Sequence, residues 1–268
     1  MSPPFPTLFL SHGAPNMALN DTPVRKFLSG LGERYPKPDA IVAVSAHFET
    51  NGAVVVTDPN PEMIYDFRGF ETDLYNMRYP APGHYKLGEE IAGLLEKADL
   101  PVSKMAKRGF DHGTWVPFSL AWPKADIPVV QLSIDPDQGP DYHFRLGKAL
   151  SSLPARNIAI VGTGNITHNL KAFFSRGEDA ELDANIKDWV AEFLSWFSSE
   201  IESGNTNNVL NYRENAPFAV ENHPTDEHLL PIFVAMGAAG EKYSAKKIHE
   251  SYTHDFLAMD AWEFSPAA

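Results

Sequence analysis

Short apolar runs alternate with amphipathic stretches along this chain, and the alternation predicts strands separated by helices. Residues 7–10 read as a short strand that ends at Ser11-His12-Gly13. Residues 23–35 have helical spacing, with Asp21 or Thr22 as N-cap and Pro23 at the first helical position, where its missing N–H costs least. Residues 40–45 are a continuous apolar run with β-branched members, the pattern of a strand buried on both faces, and deliver His47 at its end. Asn51-Gly52 suits a hairpin turn before a strand at 53–57. Residues 58–82, rich in proline and aromatics with little periodicity, read as a long ordered loop, which at this length is usually functional.

The alternation continues through a helix at 84–98, a short strand at 102–106, and a helix at 115–122 with Pro117 in its first turn. A strand at 128–134, a helix at 141–153 and a strand at 158–161 follow, the last ending in Gly162-Thr163-Gly164-Asn165. An amphipathic helix at 182–198, an almost wholly apolar helix at 228–239 and a last strand at 248–258 complete the pattern. The fold class expected is α/β. Residues 1–268 form one domain, with a central, mostly parallel or mixed sheet covered by helices on both faces.

Composition narrows the function. The chain has 268 residues and a formal net charge of −13, which excludes nonspecific nucleic-acid binding because phosphate contacts need a basic face. It has no cysteine, so disulfides, thiolate ligands, iron–sulfur clusters and a catalytic thiol are all excluded. No apolar run approaches the roughly 20 residues of a membrane span, and the N-terminal residues lack a basic segment followed by an apolar stretch. The expectation is a cytoplasmic enzyme or binding protein, with monomer and homodimer both open.

Candidate chemistry rests on the ten histidines. His12 and His47 each close a buried-looking strand after a Ser-His or Ser-x-His pair, which places imidazoles at a sheet edge, where open α/β folds keep their ligands. His168 follows a Gly-x-Gly turn, and His228 opens the apolar helix and needs a polar partner there. Imidazoles gathered from several edges would suit iron, zinc, copper or nickel. Glu227 is the carboxylate alternative as a ligand, and His223 reads as a loop residue. Asn169 is a candidate to fix the His168 tautomer. The remaining histidines, His84, His143, His249 and His254, read as structural or surface residues. His112, in Phe110-Asp111-His112-Gly113, reads either as part of a turn and cap or as a group presented to a substrate. A serine hydrolase built on Ser11 or Ser45 lacks the Gly-x-Ser-x-Gly elbow.

Taken jointly, Ser11-His12-Gly13, Ser45-Ala46-His47-Phe48, Phe110-Asp111-His112-Gly113, Gly162-Thr163-Gly164-Asn165 with His168-Asn169-Leu170, and Glu227-His228-Leu229-Leu230-Pro231 carry a resemblance. So do Asp66-Phe67 with Gly69-Phe70, and Tyr79 to Gly83. The chain resembles the DODA-type (4,5-DOPA dioxygenase-like) class III extradiol aromatic ring-opening dioxygenases over nearly its full length. That resemblance implies His12, His47 and His228 as metal ligands and His168 as acid/base or a further metal contact. It implies His112 as a contact to substrate or oxygen. It also implies a catechol and O2 as partners, with Tyr65, Phe70 and Asn165 at the substrate and Phe67, Tyr75 and Tyr79 among the walls. Three neutral ligands make Zn(2+) as well suited an occupant as Fe(2+), although only a redox metal carries the oxygen chemistry. A zinc-dependent hydrolase and a noncatalytic metal or small-ligand binding protein are the alternatives at this stage.

Overall fold

The computed structural model describes residues 4–175 and 186–267. Its strands are β1 (Thr7–Ser11), β2 (Ala40–Glu49), β3 (Ala53–Val56), β4 (Val102–Met105), β5 (Val129–Ile134), β6 (Ile158–Gly164), β7 (Tyr243–His249), β8 (Tyr252–Thr253), β9 (Leu257–Ala258) and β10 (Ala261–Pro266). Its helices are α1 (Pro23–Arg34), α2 (Thr72–Asn76), α3 (Tyr85–Lys97), α4 (His112–Ala121), α5 (Gly139–Ala149), α6 (Leu170–Ser175), α7 (Asp188–Glu202), α8 (Thr206–Leu210), α9 (Tyr212–Asn215), α10 (Ala219–Asn222) and α11 (Leu230–Ala238).

Eight strands form one mixed sheet in the order β4-β3-β5-β2-β6-β1-β10-β7. The middle of it, β5-β2-β6-β1, is parallel, whereas β3 and β10 join antiparallel at either side. Parallel strands covered on both faces are mainly apolar, and β1, β5 and β6 are buried along their whole length, polar Gln131, Ser133 and Thr163 included.

The two faces can be read from close approaches. A side chain at Gly162 or Gly164 would overlap the carbonyl oxygens of Pro231 or His228, so those positions face the start of α11. Ser45 pairs in register with Thr163, whose side chain points the opposite way, and the Gly113 turn of α4 sits against Ser45 and His47. Hence α4, with α1 against it, covers one face, and α11, with α5 against it, covers the other. The C-terminal ends of β1, β2 and β6 lie side by side between them, at the edge where such sheets carry their chemistry.

Several elements differ from the sequence expectation. Strand β2 continues to Glu49, so His47 lies within it rather than at its end. The 58–82 segment contains α2 and is fastened by a bridge between Met63 and Phe110. Helix α4 begins at His112 because Asp111 caps it, which leaves Pro117 in the helix interior, where it cannot donate to the carbonyl of Gly113. Helix α7 runs Asp188–Glu202, later than the expected 182–198, and residues 182–185 of that expectation lie outside the described residues. The expected last strand at 248–258 is instead the end of β7 followed by the short β8–β9 hairpin. The last strand is β10, paired with β1. His223 lies in the loop after α10, as expected, yet it is a core residue. It is fully buried, with Nε2 2.7 Å from the Ile166 carbonyl oxygen.

Candidate metal centre

Each candidate histidine is set by backbone pairing. His12 leaves β1 with its N–H on the Gly164 carbonyl at 3.0 Å, and Ser11 Oγ donates to the Asp260 carbonyl at 2.8 Å. Gly13 then turns with φ +54°, its N–H donating to Asn165 Oδ1 at 3.3 Å. His47 donates its N–H to Ser45 Oγ at 3.1 Å, and that hydroxyl donates to Asp111 Oδ1 at 2.7 Å. Arg108 lies over Phe48 and donates to the His47 carbonyl at 3.2 Å and to Asp111 Oδ2 at 2.7 Å. The same Asp111 caps α4 and so positions His112 at its first turn. His228 is held just before α11, its carbonyl accepting from Asn165 N at 2.9 Å.

These rings converge. His12 Nε2 and His47 Nε2 face each other at 3.0 Å. The ring centroid of His228 is 5.5 Å from that of His12 and 5.0 Å from that of His47. One nitrogen from each of the three lies within 4.8 Å of the others. His112 flanks the group, 4.0 Å from His47, and His168 stacks on His228 at 3.4 Å with a 12° interplanar angle.

Burial, and then the neighbouring imidazoles, hold His12 and His228 well below the ordinary 6.5. Burial and His112 bring His47 down to about 4, against the pull of Asp111 and Asp66. Burial likewise lowers His168 to about 4, although Glu227 opposes it. Neutral imidazoles with their nitrogens turned toward one another suit a divalent cation, which replaces mutual lone-pair repulsion with coordination. The residues present fit such a metal.

Two carboxylates stand behind the rings. Asp66 Oδ2 is 2.9 Å from His112 Nδ1 and 4.0 Å from His47 Nδ1, and its Oδ1 accepts from His112 N at 3.0 Å. Burial would raise the Asp66 carboxyl, but the His112 contacts outweigh it and hold the group at about 2. Glu227 Oε1 is 3.0 Å from His228 Nδ1 and 3.7 Å from His168 Nδ1. The sequence marked Glu227 only as a substitute ligand and gave Asp66 no role; its signal was the adjacency Glu227-His228 and the Asp66-Phe67 pair in the long loop.

The aromatic positions sort by distance. Phe67 meets His112 edge-on at 5.8 Å and is the aromatic of the 58–82 loop in ring contact with the cluster. Phe70 packs behind it at 5.4 Å. Tyr65 packs against Phe67, Tyr75 and Trp115, with its hydroxyl donating to the Met77 carbonyl at 2.8 Å. Tyr79 is core. Asn165 is buried with its amide directed to Gly13 N and, at 3.4 Å, the Ala258 carbonyl, so it bears on the site through the His12 turn. Asn169 does not fix the His168 tautomer. It caps α6, accepting from Ala172 N and donating to the Glu221 carbonyl. His84 caps α3, His143 bridges Gly139 O and Asp135 N, and His249 stacks on Phe27.

Comparison with known proteins matches residues 6–259 to the family described as the catalytic LigB subunit of aromatic ring-opening dioxygenase. The 4,5-DOPA dioxygenase extradiol of Beta vulgaris is 40% identical, over 97% of this chain and 96% of its own. The protein of that name from Escherichia coli K12 is 37% identical, over 87% of this chain and 84% of its own. The crystal structure of an uncharacterized protein from Escherichia coli K12 superposes with a TM-score of 0.78 at 31% identity, over 97% of this chain and 99% of the other.

Proposed function

The chain belongs to the family of catalytic LigB subunits of aromatic ring-opening dioxygenases, and on that premise we propose that it opens a catechol ring with O2 at ferrous iron held by His12, His47 and His228. The observation that carries this reading is the meeting of three neutral imidazoles, from positions 12, 47 and 228, with His112 and Asp66 grouped beside His47 and with His168 and Glu227 grouped beside His228. Ferrous iron so held would supply coordination for the two catechol oxygens and dioxygen, and the electron transfer between them.

The remaining work falls to the protein. His168 is kept neutral by burial, so it is able to take a proton from a catechol hydroxyl. Its Nδ1 side faces Glu227, which leaves Nε2 for the substrate. His112, tied to Asp66, offers its other nitrogen to oxygen-centred charge as the ring carbon bond beside the diol breaks. Both atoms of O2 enter the ring-opened product, so proton return, rather than loss of a leaving group, completes the reaction. Phe67, with Phe70 and Tyr65 behind it, walls the aromatic ring and limits water. Tyr65, Phe70 and Asn165 belong to the proposed substrate end as support for Phe67 and for the His12 turn.

The relatives' names place DOPA in the catechol panel to be tried first. The metal-free protein, reloaded anaerobically with Fe(2+), should consume O2 and form a yellow product with at least one catechol. Absence of O2 uptake with every catechol would refute the assignment. Hydrolysis that persists with Zn(2+) under argon would instead favour the hydrolase alternative. A cytoplasmic location is part of the same proposal, and cell fractionation checks it.

A further inference from the structure

We infer that Asp66 and Glu227 are positioning residues: Glu227 holds the metal-ligand ring of His228 by Nδ1 and lies beside His168, and Asp66 holds His112 by its backbone N–H and lies beside the Nδ1 atoms of His112 and His47. The inference rests on the ligand set just proposed. Glu227 Oε1 is 3.0 Å from Nδ1 of His228 and 3.7 Å from Nδ1 of His168, whose rings lie stacked. Asp66 repeats the arrangement across the site. Its carboxylate is 2.9 Å from Nδ1 of His112 and 4.0 Å from Nδ1 of His47, and it also takes the backbone N–H of His112.

At His228 the carboxylate hydrogen-bonded to Nδ1 keeps the proton on that nitrogen, leaves the Nε2 lone pair for the metal, and orients the ring. His12 has no such partner. Its Nδ1 is buried without one, and the ring is placed by the backbone pairing of β1 and by its contacts with His47, His112 and His228.

Charge gives the pair a second role. Three neutral ligands leave a divalent ion uncompensated, and a facial set with one carboxylate would carry one negative charge. Here the charge sits one layer outward, on Asp66 and Glu227. The unequal distances separate the two acids: Glu227 lies nearer the ligand His228, and Asp66 lies nearer His112, the ring proposed to face oxygen-centred charge.

The test uses the full chain with Co(2+) alone as probe, titrated against a chelator and followed by its visible spectrum. Steady-state kinetics of the iron-loaded protein run beside it. Glu227→Gln should weaken Co(2+) about 10-fold and Glu227→Leu about 100-fold, with a shifted cobalt spectrum, because the amide oxygen still accepts from Nδ1–H. Asp66→Asn should leave Co(2+) affinity within about threefold and lower kcat at least about 10-fold at steady KM. The isosteric amides keep the inference testable should the leucine variant fail to fold. Glu227→Gln with wild-type affinity and spectrum, or Asp66→Asn with wild-type kcat, overturns this inference alone. Wild-type protein that takes up no Co(2+) overturns the ligand set, and this inference with it.

Discussion

At the scale of the residue, the proposed function divides its tasks among five imidazoles, and single substitutions should separate them. His12→Ala removes the nitrogen that faces His47 at 3.0 Å, and the expected outcome is loss of bound metal, read by elemental analysis after gel filtration. His168→Ala should keep the metal and lower kcat by about 10²–10⁴, the range of a positioned acid or base, read as O2 uptake. His12, His47, His168 and His228 were legible in the sequence because a strand end or a buried helix start gives a polar ring a place at the sheet edge. Asp66 and Arg108 were not. Asp66 stands in the Asp66-Phe67 motif but acts on His112, 46 positions away, and Arg108 acts through a carbonyl and a capping aspartate, so neither role shows in a local pattern.

Elements carry these residues by close packing. Gly164 lets the end of β6 touch the backbone that presents His228, with Asn165 N bonded to the His228 carbonyl. Gly164→Ala should therefore cost about 1–3 kcal/mol in urea unfolding and also weaken metal retention, since the overlap pushes His228 itself. Strands β2 and β6 were readable from their apolar runs because both faces are covered, and β5 from a run broken only by Gln131 and Ser133. Strand β7, with Lys246 and Lys247 in a half-exposed edge, and β10, with Glu263, Ser265 and Pro266 among its apolar positions, do not show such a run. The start of α4 was misplaced for a related reason: Asp111 spends its carboxylate on Ser45 and Arg108 as well as on the cap.

The whole molecule responds to pH through its buried ionisable groups. Burial lowers His143 and His223 to about 4, while an unfolded chain titrates them near 6.5. Between those values the unfolded state binds more protons, so stability present above 6.5 is lost as pH falls toward 4, by about 1.4 kcal/mol per unit for each ring. Asp260 runs the other way. Burial raises it from 3.8 to about 6 despite Lys247 at 3.1 Å, so in that window it adds stability as pH falls. These two rings, joined in the metal-free protein by the lowered rings of His12, His47, His168 and His228, outweigh one carboxyl and leave a net loss on acidification. Urea midpoints of the metal-free protein at pH 7, 6 and 5 should decline, and an unchanged midpoint would count against the buried neutral rings. Among the described residues no helix is long and apolar enough to cross a membrane.

The side-by-side ends of β1, β2 and β6, with His228 brought up by α11, mean that no local fragment contains the centre. Capture of the ion must come late in folding, after chain separations of more than 200 residues have closed. A ligand bound only by the native state raises stability by about 2.7 kcal/mol at a hundredfold excess over its Kd. Added Zn(2+) should accordingly shift the thermal transition upward in a dose-dependent way, and a nascent chain arrested before residue 228 should gain no such protection.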